Sequence, residues 1–240
     1  MLFSADPFTC DAVIFDLDGT LIDSTDVYIR ILNVAFERLD LPPVSRESIL
    51  NVLIEGDFDW NKILPADLKE RKDRIIEKSM EVIRVVYPQM FRDEVKLIPG
   101  AADVLKGLCK GGIKLGLVTS TQAKYLYPKL HPLKVSGIES LLQVIITTDD
   151  VLHKKPAPDP LIECGKRLCV DMEKIVYVGD SRVDIMAGNA AGTMTIGVLT
   201  GVDEYEGLRA ENPTAILDSV SELRDILPAL KHAALTLADK

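Results

Sequence analysis

Ala12-Val13-Ile14-Phe15-Asp16-Leu17-Asp18-Gly19-Thr20 opens with four apolar residues and closes on two carboxylates and a glycine. A run this short and this apolar predicts a strand buried on both faces, ending where the chain turns polar. Similar runs recur at Leu115-Gly116-Leu117-Val118, Val144-Ile145-Ile146, Ile175-Val176-Tyr177-Val178 and Met194-Thr195-Ile196-Gly197-Val198. Helical patterns at Gly100 to Lys110, Pro158 to Leu168 and Val183 to Ala191 fill the intervals, each about as long as a crossover requires. Strand alternating with helix predicts an α/β fold, a doubly wound parallel sheet of Rossmann-like type.

One interval breaks that rhythm. From Ile22 to about Arg92 no run reads as a strand, while Asp26 to Leu39 and Pro65 to Tyr87 are amphipathic at helical spacing. Leu41-Pro42-Pro43-Val44 separates the first two helices, and Gly56-Asp57-Phe58-Asp59-Trp60-Asn61 reads as a loop or short turn. The expected organisation is an α/β core of residues 1–21 and 93–240 with an inserted helical cap over 22–92.

A chain of 240 residues with 47% hydrophobic content can bury one good core and carry a second small module. Its formal charge of −9 argues against a general affinity for nucleic acid or an anionic membrane, since the long-range field repels polyanions. No apolar stretch reaches membrane-spanning length, and the N-terminus lacks the basic start and apolar run of a secretory signal, so a cytoplasmic protein is expected, monomeric or homodimeric. Cys10, Cys109, Cys164 and Cys169 have no metal-ligand spacing and read as buried free thiols. His131, His153 and His232 form no ligand pattern either.

In doubly wound sheets ligands bind beyond the carboxyl ends of the strands, so the residues following each apolar run carry the information. Those positions are Asp16-Leu17-Asp18-Gly19-Thr20, Thr119-Ser120-Thr121, Thr147-Thr148-Asp149-Asp150 with Lys154 and Lys155 shortly after, and Gly179-Asp180-Ser181. Asp16 and Asp18 straddle the point where strand becomes turn, so one carboxylate can attack an electrophile while the other, held protonated by its like-charged neighbour, gives a proton to the leaving group. Gly19 permits the tight backbone this needs. Asp180 and Asp184 lie one helical turn apart, bringing four carboxylates toward one pocket. Such a pocket repels a phosphate dianion unless a cation intervenes, and an all-oxygen site with room for water favours Mg²⁺ over zinc or copper. Thr119 and Ser120 can offer a hydroxyl and backbone N–H groups to phosphoryl oxygens, and Lys155 can neutralise charge on them. Singly, each has a plain structural reading as a helix cap or solvated lysine.

With those residues in view the sequence resembles the haloacid dehalogenase-like hydrolase superfamily, in its capped phosphatase branch of the phosphoglycolate phosphatase type. Asp16-Leu17-Asp18-Gly19-Thr20-Leu21 is similar to the first motif, Thr119 stands at the second, Lys155-Pro156-Ala157-Pro158-Asp159-Pro160 resembles the third and Gly179-Asp180-Ser181-Arg182-Val183-Asp184 the fourth. The resemblance implies that Asp16 forms an aspartyl-phosphate and that Asp18 acts as acid and then base. It also implies Mg²⁺ held by the Asp16 carboxylate, the Asp18 main-chain carbonyl, Asp180 and Asp184, with Thr119 and Lys155 on the phosphoryl group. Gly19 and Ser120 are expected to touch the substrate. The chain departs from the family at Asp23-Ser24-Thr25-Asp26, where the common pattern is Asp-Ser-x-Pro. A capped site suits a small phosphorylated metabolite. Were the leaving group anionic, as glycolate is, the cap would have to supply a cation, and Lys62 is the candidate. Against it stands the reading of Trp60 as a packing residue and Lys62 as solvated. A β-phosphoglucomutase-like mutase, an inorganic pyrophosphatase and a catalytically silent metabolite-binding regulator are the alternatives.

Overall fold

A computed structural model describes residues 10–225 apart from 55–58, 65–67, 69 and 70. The chain begins with β1 (Ala12–Phe15), β2 (Ile22–Asp23), α1 (Thr25–Glu37), α2 (Arg46–Ile54), α3 (Trp60–Ile63) and α4 (Lys72–Glu94). It returns through β3 (Lys96–Leu97) to α5 (Ala101–Lys110), β4 (Lys114–Val118), α6 (Ala123–Lys129), α7 (His131–Val135) and β5 (Val144–Ile146). The remainder is α8 (Asp159–Leu168), β6 (Ile175–Gly179), α9 (Arg182–Ala191), β7 (Met194–Val198), α10 (Tyr205–Ala210) and β8 (Ala215–Leu217).

Six strands form one sheet in the order β5-β4-β1-β6-β7-β8, parallel throughout. All four residues of β1 are buried because both faces are covered. Val13 and Phe15 enter one apolar layer, with Ala101, Leu105 and Val104 of α5, while Ala12 and Ile14 enter the other, with Leu161 and Cys164 of α8 and Ala187 of α9. Side chains that alternate across a strand are thus claimed by opposite layers, and full burial of each large aliphatic or aromatic one is worth about 1.5–3 kcal/mol. From β1 the chain builds outward through β4 and β5, then crosses to the other side of β1 to lay down β6. Phe15 stands opposite Leu117 and Val178, so the ends of β1, β4 and β6 meet at the point where strand order reverses, the place where open α/β sheets bind ligands.

Helices α1–α4 form the insert. Leu32 and Phe36 of α1, Ile49 and Val52 of α2, Ile63 of α3 and Ile75 of α4 make a small core of their own, with Trp60 stacked at 6.5 Å on Phe36. The insert joins the main body through β2 and β3, which pair antiparallel with Ile22 opposite Leu97 and Asp23 opposite Lys96.

The structure corrects several expectations. Residues 22 and 23 are a strand rather than the start of the helical region, since two chain crossings side by side satisfy each other's backbone groups. The last insert helix starts at Lys72 within the described residues and runs past Tyr87, through Pro88, to Glu94. Burial of Tyr87 and Phe91 holds it across a proline that costs an interior helix about 3 kcal/mol. Pro65 and residues 56–58 of the expected loop lie outside the described residues. Trp60 and Asn61 are helical, because Asp59 caps α3 by accepting the Asn61 N–H at 2.9 Å. Strand β8 (Ala215–Leu217) is not among the runs expected from sequence. Of the free cysteines, Cys10 and Cys164 are buried while Cys109 and Cys169 are exposed. Among the described residues no helix is long and apolar enough to cross a membrane.

Candidate active site

Asp16 follows β1 directly, and its N–H continues the ladder by donating to the Val178 carbonyl at 2.8 Å. Its buried carboxylate accepts a hydrogen bond from Lys155 Nζ at 2.6 Å. The same ammonium donates to Asp184 Oδ1 at 2.6 Å and to the Tyr177 hydroxyl at 3.1 Å. Asp184 is satisfied on both oxygens. Tyr177 donates to Oδ1 at 2.7 Å, and the Ser181 N–H and hydroxyl donate to Oδ2 at 3.1 and 2.6 Å. The Ser181 N–H bond, with the Asp184 N–H donating back to Ser181 Oγ at 3.3 Å, makes a capping box at the start of α9, so one carboxylate caps the helix and anchors Lys155 together. Asp180, between β6 and α9, accepts from the Thr20 hydroxyl at 3.2 Å and from the Val202 N–H at 2.9 Å.

Carboxylate oxygens of Asp16, Asp180 and Asp184 all lie within 4.8 Å of one another, and the three residues are buried. Their electrostatics are correspondingly uneven. Burial pushes Asp16 up to about 7 despite Lys155, with Asp184 and Asp18 raising it further. Burial drives Asp180 well above the usual carboxylate range, and the charges of Asp16 and Asp184 add to it. For Asp184 burial works upward too, but Lys155 and the hydrogen bonds of Ser181 and Tyr177 outweigh it and hold the group low. Lys155 is kept charged: burial opposes this, and Asp16 and Asp184 overcome it. One ammonium therefore does not balance the acidic groups it faces. A hard divalent cation fits this donor set, which is buried, all-oxygen and short of positive charge.

The sequence of residues 13–198 matches the family model described as haloacid dehalogenase-like hydrolase. The chain belongs to that family. This hydrolase is 33% identical over 236 residues to the phosphoglycolate phosphatase of Salmonella paratyphi A and 31% identical to that of Escherichia coli K12, covering 91% of both chains in each case. Among solved structures it resembles a HAD family hydrolase from Deinococcus radiodurans with bound phosphate and sodium, at 23% identity and a TM-score of 0.73, covering 95% of this chain and 98% of that one. It also resembles CbbY from Rhodobacter sphaeroides in complex with phosphate, at 24% identity and a TM-score of 0.72, covering 90% and 96%. At those identities the structural likeness speaks for the fold, which agrees with the doubly wound sheet expected from sequence.

In this hydrolase Asp18 stands apart from the trio. Its Oδ1 accepts from the buried Ser24 hydroxyl at 2.7 Å, and its Oδ2 accepts from Lys129 Nζ at 2.5 Å and Thr121 Oγ1 at 3.4 Å. Lys129 is buried to 1% exposure. It also donates to Thr121 Oγ1 at 2.6 Å, with the rings of Tyr28 and Phe91 4.9 and 5.4 Å away. Sequence reasoning gave no role to Ser24, Lys129 and Tyr177, and none to Thr121 although it stands in one of the informative stretches. Ser24 and Thr121 adjoin motif residues and carry that signal. Lys129 lies in Tyr-Pro-Lys-Leu on α6 and reads as an ordinary surface lysine, and Tyr177 reads as a strand residue.

Asp16, Asp18, Ser120, Lys155, Asp180 and Asp184 all line one cavity of about 520 Å³. Three expected contacts fall outside it. Gly19 donates its N–H to the Ile22 carbonyl at 2.8 Å, so it serves the turn rather than a substrate. Its φ is +77°, and an added Cβ would stand 2.5 Å from Asp180 and 2.7 Å from Gly201, a position open to glycine alone. Thr119 is buried beneath the cavity, its hydroxyl donating to Thr121 Oγ1 at 3.0 Å and accepting the Thr121 N–H at 3.1 Å. Lys62 is exposed. On α3 it is Trp60 that faces the cavity and Ile63 that enters the insert core, while Lys62 is not part of the cavity lining.

Proposed function

We propose that this hydrolase is a Mg²⁺-dependent phosphatase of small phosphomonoesters that works through an aspartyl-phosphate on Asp16. The observation carrying this reading is the division of carboxylates. Asp16 is gripped by Lys155 beside Asp180 and Asp184, while Asp18 is held on the opposite side by Ser24, Thr121 and Lys129. Relatives that carry the name phosphoglycolate phosphatase across 91% of the chain support the same chemistry.

In the first step a carboxylate oxygen of Asp16 attacks phosphorus in line, and the bond from phosphorus to the ester oxygen breaks. Asp18 gives its proton to that departing oxygen. In the second, Asp18 takes a proton from a water molecule whose oxygen displaces Asp16, releasing inorganic phosphate and restoring the Asp16 carboxylate and the protonated Asp18. Lys155 offsets negative charge on the phosphoryl oxygens, and Ser120 and Thr121 border the same space. Asp16, Asp180 and Asp184 would hold Mg²⁺, with the Asp18 main-chain carbonyl as the family pattern implies. The ion would supply charge neutralisation for a dianion among four carboxylates. The insert, residues 24–95, serves as the cap that excludes water from this space.

A sugar-phosphate mutase would need polar cap groups to hold a sugar, and a pyrophosphatase would need cationic ones. The cap side of this cavity presents mainly apolar side chains. The reading is tested by phosphate release from a panel of phosphomonoesters with Mg²⁺ or EDTA. Turnover should require the metal and fall by about a thousandfold or more in Asp16→Asn. Undiminished turnover in that variant would remove Asp16 as nucleophile, and an isomeric product without free phosphate would identify a mutase.

A further inference from the structure

The cavity has two unlike halves. The half formed by the strand ends carries the carboxylates and Lys155, which among the described residues is the one cation in its lining. That cation is already held between Asp16 and Asp184 at 2.6 Å each. The other half is built from one face of α1, where Tyr28 and Ile31 follow at helical spacing, one face of α4, where Met80, Ile83 and Tyr87 do the same, and Trp60 of α3. Burial holds the hydroxyls of Tyr28 and Tyr87 far above the ordinary tyrosine range, so both rings stay neutral. A volume of about 520 Å³ lies well within the roughly 300–1,000 Å³ of sites that enclose drug-sized ligands.

From this lining we infer that the leaving group of the true substrate is an uncharged, largely apolar alcohol of about the size of an aromatic ring, and not a carboxylate such as glycolate. The inference rests on the phosphatase reading. A glycolate carboxylate leaving from Asp16 toward the cap would lose its hydration against Ile31, Met80 and Ile83 and gain no cation in return. An aromatic or cyclic alcohol would bury its ring against Tyr28, Trp60 and Tyr87, and Asp18 remains placed to protonate its oxygen. The second half of the cavity thereby selects the alcohol, while the first recognises only the phosphate common to every substrate.

The test compares kcat/KM for ethyl, butyl, hexyl and benzyl phosphate and for phosphoglycolate, all with Mg²⁺. These primary alkyl esters keep leaving-group reactivity similar, so the ranking reports on the pocket. Rates should climb along the alkyl series, and benzyl phosphate should exceed phosphoglycolate by at least about tenfold. Ile83→Arg, and Leu53→Arg as a second placement on the same lining, should each narrow or invert that ratio. Phosphoglycolate turned over faster than benzyl phosphate by the native protein would overturn the inference while leaving the phosphatase reading intact. Should no ester release phosphate, the phosphatase reading fails instead. The pocket is then judged by equilibrium binding to Asp16→Asn with Mg²⁺, where tighter binding of benzyl phosphate than of phosphoglycolate supports it and the reverse order refutes it.

Discussion

Lys129 ties the proposed acid and base to its surroundings. It is buried between Tyr28 and Phe91 and reaches Asp18 at 2.5 Å. Lys129→Met keeps the length and apolar stem but removes the ion pair that fixes the carboxylate. The expected result is a fall in kcat of about tenfold to a hundredfold with alkyl phosphates. A much smaller loss is expected with p-nitrophenyl phosphate, whose leaving group needs no proton. Equal losses on both would show that Lys129 does not act through Asp18. Asp16 and Asp180 give a second expectation. Burial raises both in the folded chain, Asp16 to about 7, so the stability tied to their neutral forms is present at low pH and is lost as pH rises, for Asp16 up to about 7. The opposite contribution of Asp184, held low, is fully present at both pH 6 and pH 8 and is lost only in acid, so it does not alter the comparison. Metal-free protein should therefore melt at a lower temperature at pH 8 than at pH 6, with Asp16 alone accounting for about 1 kcal/mol of lost stability. Mg²⁺ should raise Tm more at the higher pH, which thermal melts with and without EDTA will check.

The opening of α9 does two jobs at once. Ser181 and Asp184 form its capping box, in which Oδ2 of Asp184 closes the box while Oδ1 sets Lys155 against Asp16. Ser181→Ala should cost about 1 kcal/mol in chemical denaturation and lower turnover as well, whereas a cap with no part in the site would affect stability alone. This scale also shows what the sequence could convey. Asp16 and Asp180 follow apolar runs long enough to be recognised as strands, and the helices α5, α8 and α9 sit within a residue or two of their expected limits. Paired strands of two residues, such as β2 and β3, have no pattern of their own and exist because each supplies the other's hydrogen bonds. Spacing revealed that α1 and α4 have apolar faces. It carried no information on which part of each face closes the insert core and which part borders the cavity, because burial in a core and burial against a ligand ask for the same residues.

At the level of the whole molecule, the sheet and the insert divide the work, although Val27, Ile31, Tyr87 and Phe91 of the insert share the core of the sheet while the insert also keeps a small core of its own. The sheet with its flanking helices holds every group assigned to phosphoryl transfer, and the insert supplies most of the surface that a leaving alcohol meets. They communicate through the contact of Lys129 with Tyr28 and Phe91, and through the two short strands where the chain departs and comes back. Because Ile22 lies opposite Leu97, those two points are neighbours, and all six strands of the large sheet lie outside the segment between them. The insert is a detour off a circuit already closed. A different segment could join the same two points without rewiring the sheet, provided that it also filled the places of Val27, Ile31, Tyr87 and Phe91 in the shared core. Chemistry and substrate choice can then be inherited separately, with new tastes acquired by exchanging the detour and the old reaction kept.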